Sequence, residues 1–299
     1  MIPTIWLASY PKSGNTWFRI LVANLWSGRD EPIDINVIES TDSIASGRNP
    51  FDQQTLIESG LLDHDEIDRL RPAAYAHAAA GGTLADQEDP CFPVRFVKSH
   101  DAYTQTDRGE PIMAGARGAA GAILFVRDPR DVAGSLANHM SCTVDAAIGL
   151  MGDRAFCFAS ATDRLDRQFR QRLLGWSGFA QSWLDQRDIP VHLVRYEDML
   201  ANTATVAHAA LVFAGMEPDP DRLDRAIAFA SIAELQRQET ALGFREAPRK
   251  MGGTFFRRGT AGAWRGELTM EQVARIEHDH GAMMDRLGYA RSMATEDEG

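Results

Sequence analysis

A chain of 299 residues, 44% apolar and 24% charged, is long enough to bury a sizeable core in one large α/β domain. Its formal net charge of −11 argues against a broad nucleic-acid-binding surface, so any anionic ligand must meet basic residues clustered locally. Three cysteines, Cys91, Cys142 and Cys157, lack CxxC spacing and argue against a disulfide frame or a zinc site. The first strand begins by Ile5 and leaves no room for a secretory leader. No apolar run approaches the roughly 20 residues that span a bilayer. A soluble, cytoplasmic chain with no membrane partner is expected, its acidic end "ATEDEG" frayed.

"TIWLASY" (4–10) is a short apolar run that fits a buried parallel strand. Residues 15–26 have helical spacing, with Phe18, Leu21, Val22 and Leu25 on one side. Residues 27–93 hold Pro32, Pro50, Pro72 and Pro90 and a Gly81-Gly82 break, with short helices expected near 53–70 and 72–79. "VRFVKSH" (94–100) is the next strand, "GARGAAG" (115–121) a flexible connection, and "AILFV" (122–126) a third strand. Residues 128–140 open a helix with Pro129 near its first position and acidic residues in the first turn. Residues 141–165 mix Gly, Ser and charges and read as a mobile segment. A helix is expected over 167–187, on Leu173, Trp176, Phe179, Ala180 and Trp183. "VHLVRYEDM" (191–199) is a strand entering a turn, and 202–214, 219–229 and 269–287 are helical. Residues 246–268 are glycine-rich, basic and aperiodic. Strands alternating with helices imply a mainly parallel sheet covered on both faces.

Strand, Pro/Gly turn and helix at "IWLASYPKSGNTW" outline an anion site, because a helix start offers unpaired N–H groups and a positive dipole end. The nucleotide-triphosphatase loop G-x-x-x-x-G-K-[ST], set on Gly14 and Thr16, puts Ser9 at its first glycine and Asn15 at its lysine. Lys12 instead precedes the glycine. A nucleotide kinase with this loop is therefore disfavoured. No G-x-G-x-x-G follows a strand, so a dinucleotide fold is disfavoured too.

"YPKSGNTW" resembles the 5′-phosphosulfate loop of the cytosolic-type sulfotransferases, written PKSGTTW, with Asn15 for a threonine. Bacterial sulfotransferases that modify glycopeptide antibiotics have a similar PK-x-GNTW form. "VRDPRDVAGS" (126–135) resembles the family's 3′-phosphate segment, with Arg127 and Ser135 in its two key places. "FFRRGTAGAWRGELT" (255–269) resembles the R-K-G-x-x-G-D-W-K loop through Arg257, Arg258, Gly259, Gly262 and Trp264. Ala263 there replaces an aspartate and Arg265 a lysine. "VKSH" resembles the stretch that carries the family's catalytic histidine, and "VRYEDM" a strand end whose tyrosine lies near adenine.

The resemblance implies one domain over residues 1–299, a P-loop-like three-layer α/β sandwich with a central, mainly parallel sheet. It implies 3′-phosphoadenosine 5′-phosphosulfate (PAPS) as donor, 3′-phosphoadenosine 5′-phosphate (PAP) as product, and no metal. Lys12, with Ser13, Gly14, Asn15, Thr16 and Trp17, would hold the 5′ end. Arg127, Ser135, Arg258 and the Gly259 N–H would hold the 3′-phosphate, Arg257 is a further donor-binding residue, and Trp17 and Tyr196 would pack on adenine. Lys12 would stabilise the departing bridging oxygen, His100 would take the acceptor proton, Lys98 would help position the reactants, and Ser135 is counted with these three as catalytic. The partner is a small hydroxyl acceptor, a natural-product phenol such as a glycopeptide aglycone or alternatively a carbohydrate. Segments 27–93, 141–165 and 240–256 would shape its pocket. Oligomeric state is left open, homodimer included. His139, His192 and His208 read as structural or surface residues. His278 and His280, two apart on a helix, face different sides and make no metal pair.

Overall fold

A computed structural model describes residues 2–36, 38, 44–81, 94–247 and 253–292. Its central sheet has four parallel strands: β1 (Thr4–Ser9), β2 (Arg95–Ser99), β3 (Gly121–Val126) and β6 (Val191–Arg195), in the order β2-β1-β3-β6. All six positions of β1 and of β3 are buried, as expected of central parallel strands covered on both faces. The register sets Leu7 of β1 opposite Lys98 and Ile123, and Val126 of β3 opposite Arg195. The four carboxyl ends therefore lie along one edge, where Tyr10, His100, Arg127 and Tyr196 follow their strands. A crevice at that edge is where open α/β sheets hold ligands.

Two apolar cores flank the sheet. Ile5, Leu7, Ile123 and Phe125 pack against α1 (Asn15–Ser27), α8 (Thr203–Phe213), α9 (Pro220–Phe229) and α10 (Ile232–Leu242). Trp6, Ala8, Leu124 and Val126 pack against α4 (Pro129–Met140), α5 (Val144–Gly152), α6 (Gly175–Asp185) and α11 (Met270–Arg286). This is the three-layer α/β sandwich. The short helix α7 (Tyr196–Ala201) turns the chain away from β6. α2 (Arg48–Thr55) and α3 (His64–Ala79) form a satellite cluster in which Phe51, Ile67, Ala74 and Phe169 are buried together.

Several local expectations are corrected. The two short helices expected near 53–70 and 72–79 are instead α2, a 3₁₀ turn at Ser59–Leu61, and α3 running through Pro72. A capping box between Asp63 and Glu66 starts α3, and buried Pro72 is absorbed against the core. The mobile reading of 141–165 fails over α5, which Thr143 caps and whose Ala147, Ile148 and Met151 are buried. The helix expected from 167 starts only at Gly175, because Leu174 and Gly175 both take left-handed backbone (φ 58° and 68°). Before that break the chain forms β5 (Gln171–Arg172), antiparallel to β4 (Cys157–Phe158). Residues 82–93, Cys91 among them, and 248–252 lie outside the described residues.

Candidate active site

The loop after β1 carries Lys12 at φ 72° and Gly14 at φ 101°. Gly14 is required twice over: its backbone is left-handed, and a Cβ there would lie 2.8 Å from Tyr196 Cδ2. Asn15 fastens the loop to the strand, its amide donating to the Leu7 carbonyl at 2.8 Å and to Ser9 Oγ at 3.2 Å. α1 then begins with no side-chain cap, so its first-turn N–H groups face the crevice unblocked. Ser13 Oγ and Arg127 Nε are buried without hydrogen-bond partners among the described residues, and Ser13, unlike Lys12 and Gly14 on either side of it, does not line the cavity.

The Lys12 ammonium sits 3.7 Å from the centre of the Phe255 ring. Enclosure in the site, then the charges of Lys98, Arg127 and Arg257, pull its pKa down to about 7. Arg127 lies over the Tyr196 ring at 4.3 Å and donates to the carbonyls of Lys12 (3.3 Å) and Thr260 (3.2 Å). Arg257 donates to the Gly134 carbonyl at 3.0 Å, one residue before Ser135, and pairs with Glu267 at 2.7 Å. Arg258 reaches the same Glu267 oxygen at 3.1 Å. Gly259, at φ 60°, passes so close to Ile232 that a Cβ would stand 2.6 Å from its Cγ1. Trp17 donates to the Ala230 carbonyl at 2.9 Å and meets Tyr196 edge-on at 5.9 Å. Lys12, Gly14, Asn15, Thr16, Trp17, Arg127, Ser135, Tyr196, Arg257, Arg258 and Gly259 thus converge with Lys98 and His100 on one cavity of about 640 Å³.

At the other end of the cavity, His100 Nδ1 lies 2.8 Å from the Ser9 carbonyl oxygen. A carbonyl only accepts, so Nδ1 carries the proton and Nε2 is left as the basic nitrogen. Burial, then the Lys98 charge, holds this imidazole neutral with a pKa of about 3. The next residue, Asp101, is pinned by the buried Arg71 (2.6 Å) and by the Arg172 N–H (3.1 Å), which fixes where His100 leaves β2. Lys98 is paired with Glu246 at 3.2 Å, and Glu246 also meets the fully buried Arg19 at 2.7 Å. Burial alone would raise the Glu246 pKa; Lys98 and Arg19 outweigh it and hold it down to about 2.

Sequence reasoning missed four groups that organise the site. Asp131, in the first turn of α4, accepts from the N–H of Gly262 (2.6 Å) and Trp264 (2.9 Å). It thus anchors from outside the loop that lacks its own aspartate at Ala263. The Trp264 ring has Arg130 at 4.1 Å and Arg265 at 4.5 Å. Glu239 of α10 accepts from the N–H of Phe255 and Phe256, which puts the Phe255 ring against Lys12. Glu246 and Glu267 supply the counter-charges. The acidic first turn of α4 was a visible signal for Asp131; the other three had none. His139, read as structural or surface, instead lines the cavity, while His280 is buried against Ser177 (2.9 Å) as a structural group.

The parallel sheet, with a lysine-bearing loop and arginines along its carboxyl edge, defines an α/β sandwich with a basic cavity at that edge. The sulfotransferase domain family matches residues 3–288, and the chain belongs to that family. Among curated proteins it is similar to Sulfotransferase 2A6 of Rattus norvegicus, 27% identical over 106 residues. That alignment spans 34% of this chain and 37% of the rat protein. Among solved structures it is similar to mouse sulfotransferase SULT7A1 complexed with PAP: 17% identity, TM-score 0.56, covering 95% of this chain and 85% of the other. Retinol dehydratase in a complex with retinol and PAP gives 18% identity and TM-score 0.58, covering 95% and 82%. No helix among the described residues is long and apolar enough to cross a membrane.

Proposed function

We propose that this chain is a PAPS-dependent sulfotransferase that moves a sulfuryl group to a hydroxyl of a small-molecule acceptor. The observation that carries the reading is the placement of two basic clusters and one oriented neutral imidazole around one cavity. The basic residues Lys12, Arg127, Arg257 and Arg258 on the cavity wall support an anionic donor, and both relatives described above with PAP share the fold. PAPS would supply an SO₃ group on a bridging oxygen, with PAP as the leaving group.

Lys12 and the first-turn N–H groups of α1, with Ser13 and Thr16, hold the 5′ end. Arg127, Ser135, Arg258 and the Gly259 N–H hold the 3′-phosphate through forked, charge-assisted bonds, with Arg257 braced behind them. Trp17 and Tyr196 bound the adenine side. The Lys12 ammonium, on the strand side of Gly14, stabilises charge developing at the bridging oxygen, and no metal is assigned to that role. His100 Nε2 accepts the acceptor proton while Nδ1 stays bonded to Ser9. Anion binding offsets the positive field of Lys98, which raises the basicity of His100 when the donor is in place. Lys98, braced by Glu246, orients the groups beside His100.

The acceptor reading is a phenol, as on a glycopeptide or another natural product. Phe158, Phe255 and Phe256 on the cavity wall favour it over a carbohydrate. The reading takes residues 1–299 as one sulfotransferase domain of a soluble, cytoplasmic enzyme, monomer or homodimer. From the described parts of the three variable segments, Ile44, Phe158, Arg245, Glu246, Phe255 and Phe256 line the cavity that would take the acceptor. Labelled PAPS offered with phenols, glycopeptides and sugars tests the assignment. His100→Ala should lower turnover by roughly 10²- to 10⁴-fold while PAP affinity is kept. Absence of PAP binding, with tight binding of magnesium ATP, would overturn it.

A further inference from the structure

Two imidazoles, not one, line the cavity. His139 stands in the last turn of α4, one helical turn beyond Ser135, and lines the same cavity as His100. Both rings pack on the Phe158 phenyl: His100 edge-on at 6.5 Å, His139 tilted at 41° and 6.3 Å. They differ in what orients them. His100 Nδ1 is committed to the Ser9 carbonyl. His139 Nδ1 is buried and has no hydrogen-bond partner among the described residues. That nitrogen is shut off from the cavity itself, so the ring meets a ligand group there through Nε2, which no protein group holds among the described residues. An imidazole whose tautomer nothing fixes can donate to that group or accept from it.

We propose that His139 is an acceptor-positioning residue: it hydrogen-bonds a second hydroxyl on the acceptor, beside the hydroxyl that His100 deprotonates, and so selects diols over mono-ols. Burial, then the charges of Lys12 and Lys98, holds the ring neutral with a pKa of about 4, which suits a hydroxyl rather than an anionic substituent. Phe158 would form the apolar floor between the two hydrogen-bonding groups. The inference rests on the sulfotransfer reading for the identity of the reacting hydroxyl, but its test is a binding measurement.

PAP-saturated protein is titrated calorimetrically with phenol, catechol and resorcinol. The native chain should bind at least one diol about tenfold or more tightly than phenol. His139→Phe should bring that ratio close to one with phenol and PAP affinities unchanged, and His139→Gln should keep part of the preference. Equal affinities for phenol and both diols, no binding of any of them, or an unaltered ratio in His139→Phe would each overturn the assignment. A diol preference that tracks position 139, with no sulfated product formed from PAPS, would sink the sulfotransfer reading and leave this one standing.

Discussion

Lys12 has a backbone that L-residues with long side chains seldom adopt. Its φ of 72° costs about 1–3 kcal/mol and persists because the surroundings over-determine it. Arg127 holds its carbonyl, and Phe255 lies against its ammonium. Burial, then the neighbouring charges of Lys98, Arg127 and Arg257, brings its pKa to about 7. A phosphate beside it favours the charged form, so the bound pKa lies above the free one. Affinity for PAP should therefore be full below pH 7 and weaken as pH rises above it, by up to about tenfold per unit until the bound pKa is reached. Calorimetry in buffers of different ionisation enthalpy should show proton uptake on binding near pH 8. Equal affinity at pH 6.5 and 8.5 would remove Lys12 from the anion site. Lys12, His100 and Arg127 were readable in the sequence because each follows a strand within a short motif. Glu246 and Glu267 were not, because their meaning comes from cations brought together by the fold.

α10 shows why some elements escaped a reading of pattern. Among its residues only Leu235 and Gln238 are buried, so it has almost no apolar stripe to detect. Yet Gln236 donates to the carbonyls of Phe256 and Arg257, and Glu239 receives the N–H groups of Phe255 and Phe256. The reverse error arose at 167–174, where Leu173 is buried in the same core as Trp176 and Phe179 and so continued a helical period across a break in the backbone. The basic loop over 253–268 is held from two sides, by α10 and by Asp131 of α4. Asp131→Ala leaves the N–H groups of Gly262 and Trp264 unpaired, at about 1–3 kcal/mol for a buried donor. It should lower the melting temperature, weaken PAP binding and speed proteolytic cleavage within 253–262, measured on one sample series. Unchanged cleavage would mean that α10 alone holds the loop.

At the scale of the whole molecule, sheet order decides most of the site. With β1 between β2 and β3, the anion loop, His100 and Arg127 must emerge side by side. Alternating strands and helices already implied the parallel sheet, but not which strands would be neighbours. The fold also stores uncharged imidazoles: His100 near 3, His139 and His280 near 4, each depressed chiefly by burial. Unfolded histidine titrates near 6.5, so the unfolded chain binds more protons below that pH. Stability from these groups is full above pH 6.5 and falls as pH drops toward 4, by about 1.4 kcal/mol per histidine per pH unit. Urea denaturation at pH 7.5, 6 and 5 should follow that slope, and His280→Gln should make it shallower. Glu267 carries a last consequence. Its one oxygen shared by Arg257 and Arg258 would be a resident rival that a phosphate held by those arginines, as proposed above, would have to displace. A lone inorganic anion merely swaps one ion pair for another and gains little. A nucleotide tethering two anionic ends spreads that exchange over both, so the cleft favours the tethered molecule over its loose fragments.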